Sequence, residues 1–265
     1  LPRTTDLAAI RAALEADRPW AAYALGDLTP RHFARGQWHL AEGPAPGLVL
    51  LYRGSFASPV LFALGEPAAV GPLLDELGDE PEMHLHVRPE VRDLFARRYR
   101  ILHEATMWRM VLGRDPRLPT PPPEIVRLGP SDLPALRELY ADGEPAGEAP
   151  DFFDPAMLDD GAYFGVREGD RLIAAAGTHL VTPEESIAAA GNVYTRRDRR
   201  GRGLATFCTG AVTAEVLRRG VRTIVLSVNR ENPAAARVYE RLGFARYCTF
   251  REGLAILSGP GRPVE

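Results

Sequence analysis

The order of elements between Ile187 and Gly243 constrains the fold more than any other feature of the chain. A strand at Ile187–Thr195 leads through five arginines in the seven residues Arg196–Arg202, and the turn Gly201-Arg202-Gly203 opens a helix. On that helix Leu204, Phe207, Cys208, Ala211, Val212 and Val216 recur at helical spacing. The next strand, Arg222–Asn229, is apolar on most of both faces, as a strand covered on two sides must be. Asn232-Pro233 then starts a second helix with a capping side chain and a proline at its first position, and Gly243 stops it. Shorter strands at 162–167 and 171–181 precede this run, joined by tight connections. The expected class is α/β, with a mixed sheet.

Five prolines between Gly113 and Glu124 separate two stretches of mixed helix and strand pattern. The expected organisation is therefore an N-terminal α/β domain at 1–112, a linker at 113–124 and a second domain at 125–265. In the first, Asp6 caps a helix ending near Asp17, and strands follow at 37–41, 47–53, 59–64, 82–87 and 106–112, with helices at 67–77 and 90–98. The order strand, helix, strand, helix, strand over 59–112 echoes that of 187–251, with Phe95 near the place of Tyr239. The first copy has no glycine-rich turn after its strand, so it repeats the shape without the site. The last stretch of the chain is expected as two strands, around 246–251 and 254–257.

All 32 basic residues are arginine. Without lysine, a Walker-type phosphate loop and a pyridoxal Schiff base are excluded. A net charge of -3 speaks against a nucleic-acid binder, and no apolar run approaches the ~20 residues of a membrane span. The two cysteines, Cys208 and Cys248, lack metal-ligand spacing and read as core residues of a reducing, cytoplasmic compartment. His84 and His86 share a strand face, but no third ligand is near, so no metal is expected.

A glycine turn at a helix N-terminus presents bare N–H groups and the positive end of a dipole, which suits a phosphate. The dinucleotide fingerprint is a poor match, because Thr206 stands at its third glycine and Asn229 where a ribose-binding acid belongs. Asn232, Ala235 and Tyr239 lie on one face of the second helix, where the small Ala235 leaves room for a thin ligand. A pyrophosphate on the turn and an outlying phosphate on the arginines is the layout of coenzyme A. GNVYTRRDRRGRGLAT followed by NPAAARVYERLGF resembles the cofactor motifs of the GNAT superfamily of acyl-coenzyme A-dependent N-acyltransferases, over about 125–257. Its style is similar to the glycine N-acyltransferase-like branch, whose N-terminal half is cofactor-free.

The resemblance implies acetyl-coenzyme A as cosubstrate, held by Val193, Tyr194, Thr195, Arg199, Arg200, Gly201, Arg202, Gly203, Leu204, Ala205, Thr206, Asn232 and Ala235. It implies a pantetheine slot between splayed strands, a thioester carbonyl polarised by a backbone N–H near Val193, and direct attack by an amine. Tyr239 is implied as the acid that protonates the leaving thiolate. His179, Glu184 and Glu185 are candidates for the base, beside a route through water. Seven carboxylates and no arginine between Asp142 and Gly161 suggest an acidic lip and a cationic amine acceptor. No nucleic acid or membrane partner is expected, and the chain is read as a monomer or homodimer. The competing reading is a non-catalytic acyl-coenzyme A-binding sensor or assembly module.

Overall fold

The structure is a computed structural model that describes residues 3–41, 43, 46–54, 57–122, 124–150 and 152–258. The chain divides into two compact units. One holds Leu1–Arg109, Asn229–Glu231 and Tyr247–Glu265; the other holds Met110–Val228 and Asn232–Arg246. The proline segment at 113–124 thus lies within the second unit, where Gly113 N–H donates to Gly243 O and Arg117 N–H to Leu242 O. Pro123 lies outside the described residues.

In chain order the first unit begins with helices α1 (Leu7–Glu15), α2 (Ala22–Gly26) and α3 (Pro30–Phe33). Strands β1 (Gly36–Ala41), β2 (Gly47–Tyr52) and β3 (Val60–Leu64) follow, then α4 (Pro67–Asp75), β4 (Glu82–Val87), α5 (Pro89–Ala96) and β5 (Tyr99–Leu112). The second unit continues with β6 (Ile125–Leu128), α6 (Leu133–Ala141), α7 (Met157–Asp160), β7 (Tyr163–Glu168), β8 (Arg171–Thr182) and β9 (Ile187–Thr195). It is completed by α8 (Leu204–Arg218), β10 (Thr223–Asn229), α9 (Pro233–Arg241) and the start of β11 (Phe244–Leu257). Asp6 caps α1 as expected, its Oδ1 accepting from Ala8 and Ala9 N–H at 3.0 Å.

The first unit orders its strands β1-β2-β3-β4-β11-β5, with β3 and β4 parallel and the β1/β2, β2/β3 and β4/β11 pairs antiparallel. The second orders them β10-β9-β8-β7-β6, parallel only between β10 and β9. Mixed sheets with helices packed on them are the α/β architecture expected. Leu51, Leu61, Val70, Leu85 and Phe95 build the core of the first unit, and Leu136, Leu139, Tyr163, Leu172 and Tyr194 a core of the second.

Two strands differ from expectation. β5 runs from Tyr99 rather than from about Thr106, and β11 is continuous where two strands were expected. Both carry polar residues in their middles, Glu104 and Arg251 to Glu252, which mask the alternation of a strand; Glu104 pairs with Arg92 at 2.8 Å and Glu252 with His86 at 3.1 Å. The internal echo has a structural counterpart: β3-α4-β4-α5-β5 and β9-α8-β10-α9-β11 share element order, and each opens on a parallel strand pair. In the first copy Pro67 removes an N–H from the first turn of α4, and Glu66 puts a carboxylate at its cap. Both features disfavour a phosphate at that helix end.

Candidate active site

Every residue expected to carry the chemistry, from Val193 to Tyr239, belongs to the second unit. Parallel pairing between β9 and β10 runs from Ile187↔Thr223 to Ala190↔Leu226. Beyond it β9 continues to Thr195 and β10 to Asn229. Strands that part while still extended leave backbone N–H and C=O groups facing an opening, which is a slot for a ligand with amides of its own.

At the mouth of this slot β9 is bulged. Its register against β8 shifts between the Gly177↔Gly191 and Ala175↔Tyr194 pairs, so two residues of β9, Asn192 and Val193, face the single Ala176 of β8. Asn192 has φ 51, a left-handed conformation that costs a non-glycine residue of order 1 kcal/mol. Three contacts over-determine it. The Tyr140 hydroxyl donates to Asn192 O at 3.0 Å, Asn192 Nδ2 donates to the Tyr163 hydroxyl at 2.7 Å, and that hydroxyl donates to Thr178 O at 3.1 Å. The bulge frees the backbone N–H nearby from regular pairing.

The glycine turn has the geometry that the sequence suggests. Gly201 and Gly203 have φ 77 and 76, a region open to glycine and strained for other residues. Gly203 is the N-cap of α8, which has no side-chain cap and no acidic residue in its first turn. Its exposed N–H groups and the dipole of a 15-residue helix point out of the same turn that the slot runs towards. Leu204, Ala205 and Thr206 form that first turn and are half-buried.

The arginines are less available than their number implies. Arg196 is buried, donating through Nε to Leu172 O at 2.9 Å and pairing with Glu138 at 2.7 Å. Arg197 and Arg200 share the Glu148 carboxylate at 3.2 and 2.7 Å, and Arg199 pairs with Glu168 at 2.6 Å. Arg200 also lies 5.7 Å from the Tyr194 ring centroid. Arg202 makes no side-chain hydrogen bond or ion pair among the described residues, although its charge adds to those that lower the Glu168 carboxyl. The local positive charge is thus largely balanced by acids brought from α6, its following segment and β7.

The same pairing corrects the picture of an acidic lip. Asp142 accepts from the Tyr194 hydroxyl at 3.0 Å and from Arg197 N–H at 3.3 Å, and Glu148 is bridged by two arginines. Those contacts hold both carboxyls below their usual range. Asp154 caps its own turn by accepting from Ala156 N–H, and Asp151 lies outside the described residues. Glu144, Asp159 and Asp160 remain as the unpaired acids of the described segment.

In α9, Asn232 Oδ1 accepts from Ala235 N–H at 3.0 Å, so its side chain caps the helix. Tyr239 is buried, its ring edge-on to Phe244 at 6.4 Å, and among the described residues its hydroxyl has no hydrogen-bond partner. Burial pushes its pKa to about 12. Tyr194 turns its side chain towards Asp142 and brings backbone, not hydroxyl, to the slot; Thr195 O accepts from Arg200 Nε at 3.2 Å.

Glu184 and Glu185 lie in the turn between β8 and β9, beyond the paired end of β9. Val193 is six residues along that strand, roughly 20 Å away at 3.3 Å per residue. They sit at the wrong end for a base. Cys208 is buried with its thiol pushed up to about 12, in keeping with a core role. No group of three or more metal-ligating side chains exists among the described residues, and no helix among them is long and apolar enough to cross a membrane.

Asn192, Tyr140 and Tyr163 were not singled out from the sequence. A glycine inside a strand pattern, Gly191 before Asn192, is the signal that marks a bulge or a close approach.

Residues 133–244 match the acetyltransferase (GNAT) family. Mycothiol acetyltransferase of Geodermatophilus obscurus is 36% identical over 104 residues, which are 38% of this chain and 32% of that protein. N-alpha-acetyltransferase 30 of Schizosaccharomyces pombe is 45% identical over 51 residues, 19% of this chain and 34% of its own length. The chain therefore spans about a third of the length of these curated relatives. Among solved structures, a putative GNAT acetyltransferase of Novosphingobium aromaticivorans is similar at TM-score 0.62 and 25% identity, covering 91% of this chain and all of that one. A tandem GNAT protein from the clavulanic acid biosynthesis pathway shares the fold at TM-score 0.55 and 16% identity, covering 97% of each chain. The parted strands, the left-handed glycine turn and the capped helix bearing Tyr239 all fall within residues 133–244, the span that matches the acetyltransferase (GNAT) family.

Proposed function

We propose that the protein is an N-acetyltransferase that passes the acetyl group of acetyl-coenzyme A directly to a primary amine. The observation that carries this reading is the parting of β9 from β10 beside a bulge, in line with an uncapped helix N-terminus at Gly203. Pantetheine amides would pair with the free backbone of Val193, Tyr194 and Thr195. The pyrophosphate would take the N–H groups from Gly201 to Thr206, and the outlying phosphate Arg199, Arg200 or Arg202. Asn232 would fix the start of α9, and Ala235 would leave room for the cofactor's thin arm.

The chemistry follows from that placement. The acceptor nitrogen attacks the thioester carbon, and negative charge grows on the carbonyl oxygen, where the Val193 N–H stabilises it. The C–S bond then breaks and the sulfur leaves as a thiolate of intrinsic pKa ~8.5. Tyr239, protonated throughout at neutral pH, donates a hydrogen bond to the departing sulfur and supplies its proton. The amine's own proton leaves to a base or to water.

The first unit has the element order of the same fold with a helix end that disfavours a phosphate, and we read it as a GNAT-like domain that binds no cofactor. The relatives' names support, as acceptor, a mycothiol-type amine or a peptide α-amine. The competing reading is a sensor that binds acyl-coenzyme A without turnover. Thiol release and product mass, measured with glucosamine, spermidine and a peptide bearing a free α-amine, separate the two. An enzyme releases thiol and yields an amine heavier by one acetyl group, whereas saturable cofactor binding with thiol release at background establishes the sensor.

A further inference from the structure

The β8/β9 ladder holds two irregularities that compensate each other. Register is constant from Thr182↔Ile187 to Leu180↔Ala189, slips at Thr178↔Ala190 and Gly177↔Gly191, and is restored at Ala175↔Tyr194. The first slip makes His179 an extra residue on β8, and the second makes one of Asn192 and Val193 an extra residue on β9. A bulge re-aims the residue that it adds. For His179 the direction is plain: a Cβ built on Gly191 would lie 2.3 Å from His179 Nε2 and 2.4 Å from Cε1. The imidazole fills the side-chain space of Gly191, and no residue larger than glycine fits there without displacing it.

Gly191 is the first residue of β9 beyond its paired stretch with β10. It is two residues, roughly 7 Å along the strand, from Val193. The half-buried ring of His179, carried by β8, thus lies against Gly191 of β9, at the point where β9 leaves β10 and two residues before the backbone that would hold the thioester oxygen.

We propose that His179 is the general base of the acetyl transfer, an inference that rests on the acetyltransferase reading. The acceptor nitrogen forms its bond to the carbonyl carbon, and His179 Nε2 takes the nitrogen's proton, directly or through one water. The C–S bond breaks with its electron pair on sulfur, which takes the proton of Tyr239. The imidazolium and the tyrosinate then exchange one proton through solvent, which restores the enzyme.

The other titratable groups on the elements packed against β8 do not compete. Tyr140 on α6, Tyr163 on β7, Tyr194 on β9 and Cys208 on α8 are all pushed upward by burial. Glu138 is paired with Arg196, Glu168 with Arg199, and Glu215 with Arg218 and Arg219. Arg137 on α6, Arg167 and Arg171 on the strands and Arg219 on α8 are cations that accept no proton, and Arg219 donates to Asp160 O and Gly161 O. Asp159 and Asp160 are solvent-exposed on α7, which packs against β8, while Glu184 and Glu185 belong to the far turn.

The test is the His179→Gln variant, assayed by thiol release with the three amines above. Slow hydrolysis of bound acetyl-coenzyme A, with water in place of the amine, serves as a readout free of acceptor choice. The expected result is a fall in kcat of about 10² to 10⁴ with the calorimetric Kd for acetyl-coenzyme A unchanged. The acidic limb that a histidine base gives to the wild-type pH profile is expected to vanish in the variant. A variant that keeps wild-type kcat and the acidic limb overturns the assignment while leaving the acetyltransferase reading intact. If the variant fails to bind cofactor, the wild-type limb decides: a temperature dependence like that of imidazole supports His179, and one like that of a carboxyl overturns it. Wild-type protein that releases no thiol under either readout overturns both readings together.

Discussion

Tyr239 projects from α9 into a buried position against Phe244, and its hydroxyl group has no bonding partner among the described residues. The hydroxyl thus contributes no hydrogen bond to the fold among the described residues, and its donor is open to a bound sulfur. Removing the hydroxyl in Tyr239→Phe is therefore expected to leave the melting temperature unchanged or slightly raised. Turnover should fall by roughly 10² or more at unchanged Kd, because only the transition state is deprived of a donor. Full turnover, measured where chemistry limits the rate, would contradict the role. Since burial raises this hydroxyl to about 12, its own ionisation contributes no basic limb to a profile between pH 6 and 10. The tyrosine was legible in the sequence because helical spacing put it on the face of Asn232 and Ala235. The strain at Asn192 was not: Gly191 marks an irregularity in the strand, but the hydroxyls that stabilise the positive φ lie 52 and 29 residues away.

At the scale of elements, the segment after α6 and the arginine stretch are tied together by Glu148, Asp142 and Tyr194. The sequence shows one acidic and one basic run, and each suggests a ligand of opposite charge. Folding lets them answer each other. Exposed ion pairs contribute about 0–1 kcal/mol each, while a phosphate offers more charge and more acceptor oxygens to the same guanidinium forks. If a cofactor phosphate takes Arg200, as proposed, it competes with Glu148 for that guanidinium. Glu148→Gln is expected to tighten acetyl-coenzyme A binding by up to about fivefold, with the gain shrinking as salt is raised. Weaker binding in that variant, read by calorimetry, would show that Glu148 supports the site rather than competing for it. The glycine turn itself was legible, because Gly201 and Gly203 are the residue type that left-handed backbone demands at a helix start.

For the molecule as a whole, charge pairing at the end of α8 sets a pH dependence of stability. Glu215 is gripped by Arg218 and Arg219, whose hydrogen bonds hold its carboxyl down at about 2. A carboxyl depressed in the folded state stabilises above its unfolded pKa and loses that contribution as pH falls through the folded value. Glu215→Gln is expected to melt a few degrees below wild type at pH 7, with the gap closing between about pH 4.5 and 2. A gap that persists at pH 2 would mean that packing, not charge, accounts for it. The class of fold was legible at this scale, because helix and strand periods alternate along the whole chain. The division into units was not legible in full: the last strand, from Tyr247 on, groups with the first unit, a long-range pairing that no local pattern encodes.

Whether the left-handed turn before α8 is where acetyl-coenzyme A binds is measured most directly by calorimetry on Gly203→Val. A branched side chain at φ 76 is strained and crowds the N–H groups of the helix end, while the turn is exposed and distant from the core. The predicted result is a folded protein whose affinity for acetyl-coenzyme A falls by about 10² or more, beyond what an exposed turn contributes to stability. A folded variant that binds with wild-type affinity would contradict the account and remove the glycine turn from the site.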